Sequence, residues 1–480
     1  MNRQDLKHLL GDVARALPHA GPWSLDTWGL SRSPDGGLMR GGVELDALLE
    51  RYGSPLYVLD EARLEANVAR FLATPPGARA GCEIYYSYKT NPVPQMLRRM
   101  HALGVGAEAA SPYELWLALE LGVPPSSIIY DAPAKTPESV VVAIDQQIGL
   151  INLNGREEIA LVADLARARR RQARVGIRVV APGGRAGQFG MRIDTGEALA
   201  AFREAMARPE LQVVGLHSHT NGTLATKEQV GAYVGALLEF AEQLRRELGL
   251  VLEIIDVGGN LGCRTAQRLT SDAKQWSVTL GVPPSPPDLD AVLSIDAYVA
   301  QVVGLVEAHA AEHGVPRPRI FMEPGRAMTS DTMMVLCRVL SLHGEDPAGL
   351  RWAVLDAGIN VAEPVPNEFH QLFALRPRGG DEHVYRLTGP SCMLADQLYP
   401  AWRLPPLHAG DALAIMDAGA YFVPLSTCFS QPRPGVVSVK DGRVEVLRRP
   451  ETFEDLVLRD GLRNEPLHAV VTELPAAAND

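Results

Sequence analysis

The chain has 480 residues, a formal charge of −11 and 46% hydrophobic residues. This length is too great for one compact core, so we expect two domains or a barrel with an appended domain. The acidic balance and the lack of a long Lys/Arg stripe exclude nucleic acid as an expected partner. No uninterrupted apolar stretch reaches the length needed to cross a bilayer, so we expect no membrane partner either.

The five cysteines and the first residues indicate the compartment. The cysteines are odd in number and show no CxxC spacing, which argues against a disulfide framework and against a zinc site. Residues 1–19 contain charges and no apolar core of a secretory signal. We therefore predict a cytoplasmic protein without a bound metal.

The first predicted elements precede the main body of the chain. Residues 1–42 contain clusters of Pro, Gly and Ser and are predicted to form an N-terminal extension. A lead-in helix and strand are predicted within Gly41–Leu59.

From about residue 84, short β-branched or apolar runs alternate with longer helical patterns. The predicted strands are Ile84–Tyr88, Val105–Ala109, Ile128–Asp131, Gly149–Leu153, Arg174–Val180, Val213–His217, Ile254–Val257 and Ile320–Met322. The predicted helices between them include Pro112–Leu121, Pro137–Gln147, Arg156–Arg171, Lys227–Leu248 and Ile295–His313. Eight strands separated by helices within roughly 250 residues predict an α/β fold, a (β/α)8 TIM-like barrel. A doubly wound open sheet is the alternative architecture.

The pattern changes after Arg326. Short runs separated by Gly, Pro and Asp turns predict a mostly antiparallel C-terminal β domain. The runs include Met333–Leu342, Trp352–Leu355, Ala412–Asp417, Gly435–Val439 and Val444–Leu447. We therefore place the barrel with its lead-in segment at residues 43–330 and the C-terminal β domain at residues 331–480.

The predicted strand ends carry the candidate chemistry, because catalytic groups of a (β/α)8 barrel gather at the C-terminal ends of its strands. These ends hold Lys89, Glu108, Arg178, His217-Ser218-His219, Asp256-Val257-Gly258-Gly259 and Glu323-Pro324-Gly325-Arg326. Lys89 at the mouth of a sheet can form a Schiff base, and we expect burial to lower its pKa and free its amine.

Each of these features also has an ordinary explanation. Lys89 can be a plain strand-end lysine, Gly258-Gly259 a tight turn, His219 a core histidine and Glu323 a helix cap. Together, however, a Schiff-base lysine, an acid for a pyridinium nitrogen and backbone N–H groups facing a phosphate are what pyridoxal phosphate requires.

These motifs resemble those of the fold-type III pyridoxal-phosphate decarboxylases, a family that includes diaminopimelate and ornithine decarboxylases. The resemblance runs from about Gly41 to Asp460. It is carried, in the family's order, by Tyr88-Lys89-Thr90-Asn91, Gly215-Leu216-His217-Ser218-His219, Asp256-Val257-Gly258-Gly259, Glu323-Pro324-Gly325-Arg326, Gly389-Pro390-Ser391-Cys392 and Asp417-Ala418-Gly419-Ala420-Tyr421.

The resemblance implies a role for each matching residue. Lys89 would hold pyridoxal phosphate, Glu323 would keep the pyridine nitrogen protonated and His219 would stack on the ring face. Glu108 and Arg178 resemble a charged pair near the lysine. The residues implied around the phosphate are Thr223, Gly258, Gly259, Gly325, Arg326 and Tyr421. Cys392 would come from the other subunit of a homodimer and return a proton to the substrate carbon, with a small buried apolar cysteine as the alternative.

Three positions depart from the family pattern. The loop after His219 is one residue longer, and Asn260 stands where the phosphate turn has its third glycine. An Arg-Pro pair that grips a substrate carboxylate is missing from the stretch that ends in Glu363-Pro364. Met393 replaces the acid that recognises the distal amine, although Asp396 persists, and we assign both to the substrate end. A methionine cannot accept a useful hydrogen bond from an ammonium.

These losses favour a specialised amino-acid substrate, in siderophore or other secondary metabolism, over meso-diaminopimelate. The alternatives are a diaminopimelate decarboxylase of lysine biosynthesis, an amino-acid racemase and a non-catalytic protein that binds pyridoxal phosphate. In each case the expected ligand is a small amino acid.

Overall fold

The central feature of the fold is a closed parallel barrel. The computed structural model describes residues 11, 13, 23–184, 187–220, 222–345 and 349–460. The barrel strands are β1 (Glu83–Ser87), β2 (Gly106–Ala109), β3 (Ile128–Tyr130), β4 (Leu150–Leu153), β5 (Ala173–Val180), β6 (Leu211–His217), β7 (Ile254–Asp256) and β8 (Arg319–Met322). The ring closes because β8 pairs with β1 and β4 pairs with β5. The predicted barrel is confirmed, and the open sheet is excluded.

Helices cover the outside of the ring. The helices that follow β1 to β8 in turn are Pro94–Ala102, Pro112–Glu120, Pro137–Gln146, Arg156–Ala168, Glu197–Met206, Lys227–Leu248, Ile295–His313 and the short Arg326–Thr329. A further helix, Ser271–Leu280, is inserted between β7 and Ile295–His313. The helix Lys227–Leu248 has the predicted bounds because its ends are capped. The Thr226 hydroxyl accepts the Gln229 N–H, the Gln229 side chain bonds back, and Gly249 ends the helix at φ +68°.

One segment, Leu289–His313, has the length and composition of a membrane-spanning helix, which the sequence analysis did not anticipate. Within it, Val299, Val302 and Val306 are buried in the main core of the protein. The segment packs beside the helix Lys227–Leu248 on the outer layer of the barrel. Burial in the barrel therefore accounts for its apolar side chains.

A nine-stranded, mostly antiparallel sheet forms the second domain, as predicted. Its strands from the C-terminal region are Met333–Glu345, Arg351–Leu355, Leu372–Ala374, His383–Thr388, Gln397–Leu404, Ala412–Ile415, Gly435–Lys440 and Arg443–Arg448. The ninth strand is Leu56–Asp60, which pairs antiparallel with Met333–Leu336 and parallel with Gly435–Val439.

The second domain is thus built from both ends of the chain, which differs from the predicted boundary at residue 330. All of Leu56–Asp60 is buried in the sheet, so the lead-in strand belongs to this domain rather than to the barrel. In the predicted extension, Trp28, Leu30 and Leu38 are buried in the core beside the same sheet. The described part of the extension, residues 23–42, therefore shares a hydrophobic core with the second domain.

Tyr57 links the lead-in strand to the rest of this domain, and its removal should be measurable. Its hydroxyl donates to the buried carbonyl of Val361 at 2.7 Å. Tyr57→Phe removes that donor, so we expect the free energy of unfolding to fall by about 1–3 kcal/mol. Tyr113→Phe is the matched control, because the Tyr113 side chain is 56% exposed. Urea unfolding measures both variants, and equal effects would contradict a special role for the Tyr57 bond.

Candidate active site

A cavity of about 490 Å³ opens at the carboxyl ends of the barrel strands. Its volume falls within the range of small-molecule sites. The predicted site residues that line it are Lys89, His219, Thr223, Glu323, Gly325, Arg326 and Tyr421. Closure of the ring therefore brings the barrel motifs into one wall, and the C-terminal domain adds Tyr421 to it.

Lys89 and Glu108 come together because they end neighbouring strands. Lys89 lies in the short turn Tyr88–Thr90 directly after β1, and its Nζ is 2.8 Å from Oε2 of Glu108 on β2. Glu108 is fully buried and also accepts a hydrogen bond from the Ser87 hydroxyl. Lys89 remains 41% exposed toward the cavity. The two strand ends thus hold an ammonium group against a buried carboxylate.

Glu108 reverses the direction that we expected for the pKa of Lys89. Burial by itself lowers this pKa, but the carboxylates of Glu108 and Glu323 favour the charged amine more strongly and raise it above its ordinary value. Burial raises the pKa of the Glu108 carboxyl. The expectation of a free amine produced by burial is therefore wrong. The amine becomes free when its proton moves to an acceptor, and Glu108 is the acceptor in contact.

The turn after β7 needs its two glycines. Gly258 has φ +65°, and a Cβ there would lie 2.6 Å from the carbonyl oxygen of Ser218. A Cβ on Gly259 would lie 2.5 Å from the carbonyl oxygen of Glu323. The Gly259 N–H donates to Nδ1 of His219 at 3.2 Å. The turn therefore packs so closely against His219 and Glu323 that neither glycine can be replaced by a residue with a side chain.

Asn260 replaces the third glycine without losing the turn. It adopts φ +70°, a conformation that asparagine tolerates better than most residues. Its side-chain amide donates to the carbonyl oxygen of Thr220 in the loop after β6. Thr223 in the same loop lines the cavity, as predicted. This departure therefore ties together the two loops that we assign to the phosphate.

Arg326 has an acidic partner that the sequence analysis missed. Its Nη1 lies 2.5 Å from Oε2 of Glu368, and its Nη2 lies 2.9 Å from Oε1. The guanidinium also lies 5.0 Å from the centre of the Tyr421 ring. Glu368 comes from the second domain, so no local pattern in the sequence indicated this pair.

A second charged cluster lies beside Glu323. Arg178 pairs with Asp131 at 3.5 Å, rather than with Glu108 as the resemblance implied. Asp131 Oδ1 lies 3.2 Å from Nδ1 of His217, and Nε2 of His217 lies 3.4 Å from Oε2 of Glu323. We predicted no individual role for Asp131 or His217, because a linear pattern does not show that β3 and β6 place them face to face.

The charges in this cluster determine its protonation. Burial by itself lowers the pKa of His217, but Asp131 and Glu323 raise it to about 10. His217 in turn holds the pKa of Glu323 well below its ordinary value, against the effect of burial. The nearest atoms of His217, His219 and Glu323 lie within 4.8 Å of one another, a spacing that suits a metal ion. Each ring nitrogen of His217 faces a carboxylate, however, at 3.2 Å for Asp131 and 3.4 Å for Glu323.

The loop that carries Cys392 stands apart from this cavity. Cys392 is exposed, Met393 is 40% exposed, and the cavity wall of the described chain includes neither. Asp396 is buried. Its Oδ1 accepts the Ile359 N–H at 2.8 Å, and its Oδ2 accepts the N–H and the hydroxyl of Ser391. Both carboxylate oxygens shape the loop, so the assignment of Asp396 to the substrate end does not agree with the structure.

The family model for the pyridoxal binding domain of pyridoxal-dependent decarboxylases matches residues 62–330, more than half of the chain. The chain belongs to this decarboxylase family. It is 30% identical over 434 residues to the diaminopimelate decarboxylase of Methanothermobacter thermautotrophicus, over 88% of this chain and 95% of that protein. It is 28% identical over 480 residues to the diaminopimelate decarboxylase of Actinosynnema pretiosum, over 96% and 100%.

The solved structures show the same fold. The crystal structure of diaminopimelate decarboxylase from M. jannaschii aligns with a TM-score of 0.80 and 23% identity, over 91% of this chain and 98% of that chain. The protein is therefore a pyridoxal-phosphate-dependent carboxy-lyase of the diaminopimelate decarboxylase type.

The cavity of this decarboxylase fits its cofactor. Oε1 of Glu323 is buried and has no hydrogen-bond partner among the described residues, so it is available to a pyridine nitrogen. Lys89 supplies the amine, and Arg326 and Thr223 supply donors on the phosphate side.

Replacing Glu108 by Gln should lower the pKa of Lys89, because it removes the nearest carboxylate and keeps the burial. The rate at which the cofactor-free protein reacts with pyridoxal phosphate follows the fraction of free amine, so its pH profile reports this pKa. We expect the midpoint to fall by more than about one pH unit. Glu120→Gln, at an exposed helix position, should leave it unchanged. Equal midpoints for E108Q and the wild type would contradict the role of Glu108.

Glu368 should compete with the phosphate for Arg326, because both are anions. Glu368→Gln keeps the size of the side chain and removes its charge, so we expect the Kd for pyridoxal phosphate to fall about five-fold. Arg326→Gln should raise this Kd about 10- to 100-fold and leave the Kd for pyridoxal, which has no phosphate, nearly unchanged. Equilibrium dialysis measures these constants, with Glu451→Gln in the ion pair with Arg433 as the control. Weaker cofactor binding by E368Q would show that Glu368 orients Arg326 instead.

Proposed function

We propose that this protein decarboxylates meso-diaminopimelate to L-lysine. The named relatives that span almost the whole chain are diaminopimelate decarboxylases. In this chain, Lys89 carries the proposal, because it is held against Glu108 in the same cavity as Glu323. That arrangement provides an amine, a proton acceptor and a carboxylate for a cofactor ring.

Four residues at or beside the cavity would then take part in the reaction. Bound pyridoxal phosphate supplies an aldehyde that exchanges amines and a ring that accepts the electrons released with carbon dioxide. Lys89 would hold the cofactor through its amine, and Glu108 would take up and return the lysine proton. Glu323 would hold a proton at the ring nitrogen. His219, which accepts the Gly259 N–H, would support the ring face.

Cys392 fits a role in a second copy of the chain. Its loop is exposed and does not reach the cavity of its own chain, and the neighbouring Leu394 is 95% exposed. A large apolar side chain so exposed beside a reactive thiol fits a surface that a partner covers. In a homodimer, Cys392 would enter the cavity of the other subunit and return a proton to the substrate carbon. All five cysteines are free, which fits a reducing cytoplasm.

Arg268 supplies the cation that a second substrate carboxylate requires. Arg326 is bound to Glu368, whereas Arg268 lines the same cavity and forms no ion pair within the part of the chain that the structure describes. A backbone bridge to Glu368 fixes its segment at the cavity wall. The planar guanidinium suits a carboxylate. Arg268 therefore takes the place of the arginine that is missing beside Glu363.

Arg268→Gln should raise the KM for meso-diaminopimelate about ten-fold or more, because a charged hydrogen bond contributes about 1.5–3 kcal/mol. The kcat should change much less, since the distal carboxylate does not react. Arg264→Gln is the matched control, because Arg264 lies in the same segment and pairs with Asp290 outside the cavity wall. Steady-state carbon dioxide release measures both. A similar KM in all three proteins would remove Arg268 from the substrate site.

A specialised amino acid remains the second candidate substrate, and Met393 favours it, because its thioether cannot pair with a distal ammonium. A panel of meso-, LL- and DD-diaminopimelate, lysine, ornithine and large apolar amino acids, assayed for carbon dioxide release, separates the two. Turnover of meso-diaminopimelate at about 1–1000 per second supports the first proposal. A clear preference for an apolar or monocarboxylic amino acid would replace it with the second. Interconversion of enantiomers without carbon dioxide release would indicate a racemase.

A further inference from the structure

Three ionisable side chains meet inside the barrel with almost no access to solvent. Asp131 follows β3, His217 ends β6 and Glu323 follows β8, and they are 4%, 0% and 1% exposed. The two ring nitrogens of His217 each face one carboxylate, at 3.2 Å for Asp131 and 3.4 Å for Glu323. The imidazole therefore lies between the two acids.

Two buried carboxylates this close to one imidazole are stable as anions only if the imidazole is a cation. Only the doubly protonated ring presents a positive charge to both acids at once. Arg178 lies on the other side of Asp131 and balances its charge. Asp256 faces the same cluster, and burial together with the nearby Glu323 raises its pKa well above the ordinary value. Burial therefore favours the neutral form of Asp256, whereas Asp131 and Glu323 each face a cationic group.

We propose that Asp131 and His217 are positioning residues that keep Glu323 anionic and directed at the cofactor ring nitrogen. This inference rests on the proposed role of Glu323 and extends it to two residues that do not line the cavity. Asp131 holds the proton on His217, and His217 holds the negative charge on Glu323. A less basic Glu323 leaves the proton on the ring nitrogen, where the electrons released with carbon dioxide require it.

A purely structural histidine is the competing explanation, because buried polar side chains are often satisfied core residues. The two explanations differ in what they predict for pH. If His217 were only structural, its contacts would not depend on its protonation state, and pH would not change the cofactor site through it. A positioning histidine must keep its proton over the whole working range of pH, and it must lose that proton sooner when Asp131 loses its charge.

The first experiment follows His217 in the cofactor-free protein. Imidazole 15N NMR of histidine-labelled protein, with the signal assigned by His217→Gln, reports its protonation between pH 6 and 10. We expect wild-type His217 to stay doubly protonated through pH 9, and Asp131→Asn to lower the midpoint by at least one pH unit. Deprotonation of wild-type His217 below pH 8 would overturn the proposal. This measurement needs no cofactor, so it gives its answer even if the proposed reaction fails.

The second experiment follows the cofactor in the loaded protein. In Asp131→Asn we expect the visible absorbance of bound pyridoxal phosphate to show an added transition at the His217 midpoint. The wild type should lack this transition below pH 9. Asp256→Asn is the matched control, because Asp256 is equally buried, burial raises its pKa, and its Oδ1 accepts the Gly258 N–H. The same pH profile in D131N and the wild type would overturn the proposal.

Discussion

Neutralisation of buried charge is the constraint on which the rest of this site depends. Closing the barrel places the carboxylates of Glu108, Asp131 and Glu323 at one end of a ring with almost no access to water. An isolated buried carboxylate costs several kcal/mol, so each must face a cation or take up a proton. Lys89 faces Glu108, and His217 lies between the other two. The protonation states of the site are therefore linked, and none can be assigned to one residue alone.

The cofactor side and the substrate side of the cavity are built differently. The cofactor side consists of strand ends and the turn at Gly258, where backbone atoms leave no space for side chains. The substrate side is made of the insertion after β7 and the second domain, which meet where Arg268 pairs through its backbone with Glu368. Glu368 then binds Arg326 across the boundary. The second domain thus places an acid against Arg326, the arginine that we assign to the phosphate, and also shapes the end of the cavity that we assign to the substrate.

Local patterns predicted the barrel, because each of its strands and helices is encoded by neighbouring residues. They failed where a contact is made by distant residues. Leu56–Asp60 looks like a lead-in to the barrel but pairs with Met333–Leu336. Gln397–Leu404 contains Pro400, which interrupts the local strand pattern, and an edge strand tolerates a proline. At the site, the position of Lys89 followed from its strand end, whereas the direction of its pKa depended on Glu108 across the ring.

A missing motif residue does not show that the cavity lacks the corresponding charge. The sequence lacks an arginine beside Glu363, and from this loss together with Met393 we inferred a specialised substrate. In the fold, Arg268 from the insertion lines the same cavity, and its backbone neighbour Glu368 is bound to Arg326. The electrostatic potential at the substrate depends on the charged side chains that the fold brings to the cavity wall, and not on their order along the chain. The positive charge at this wall therefore favours a dicarboxylic amino acid, although Met393 has lost the family's acid.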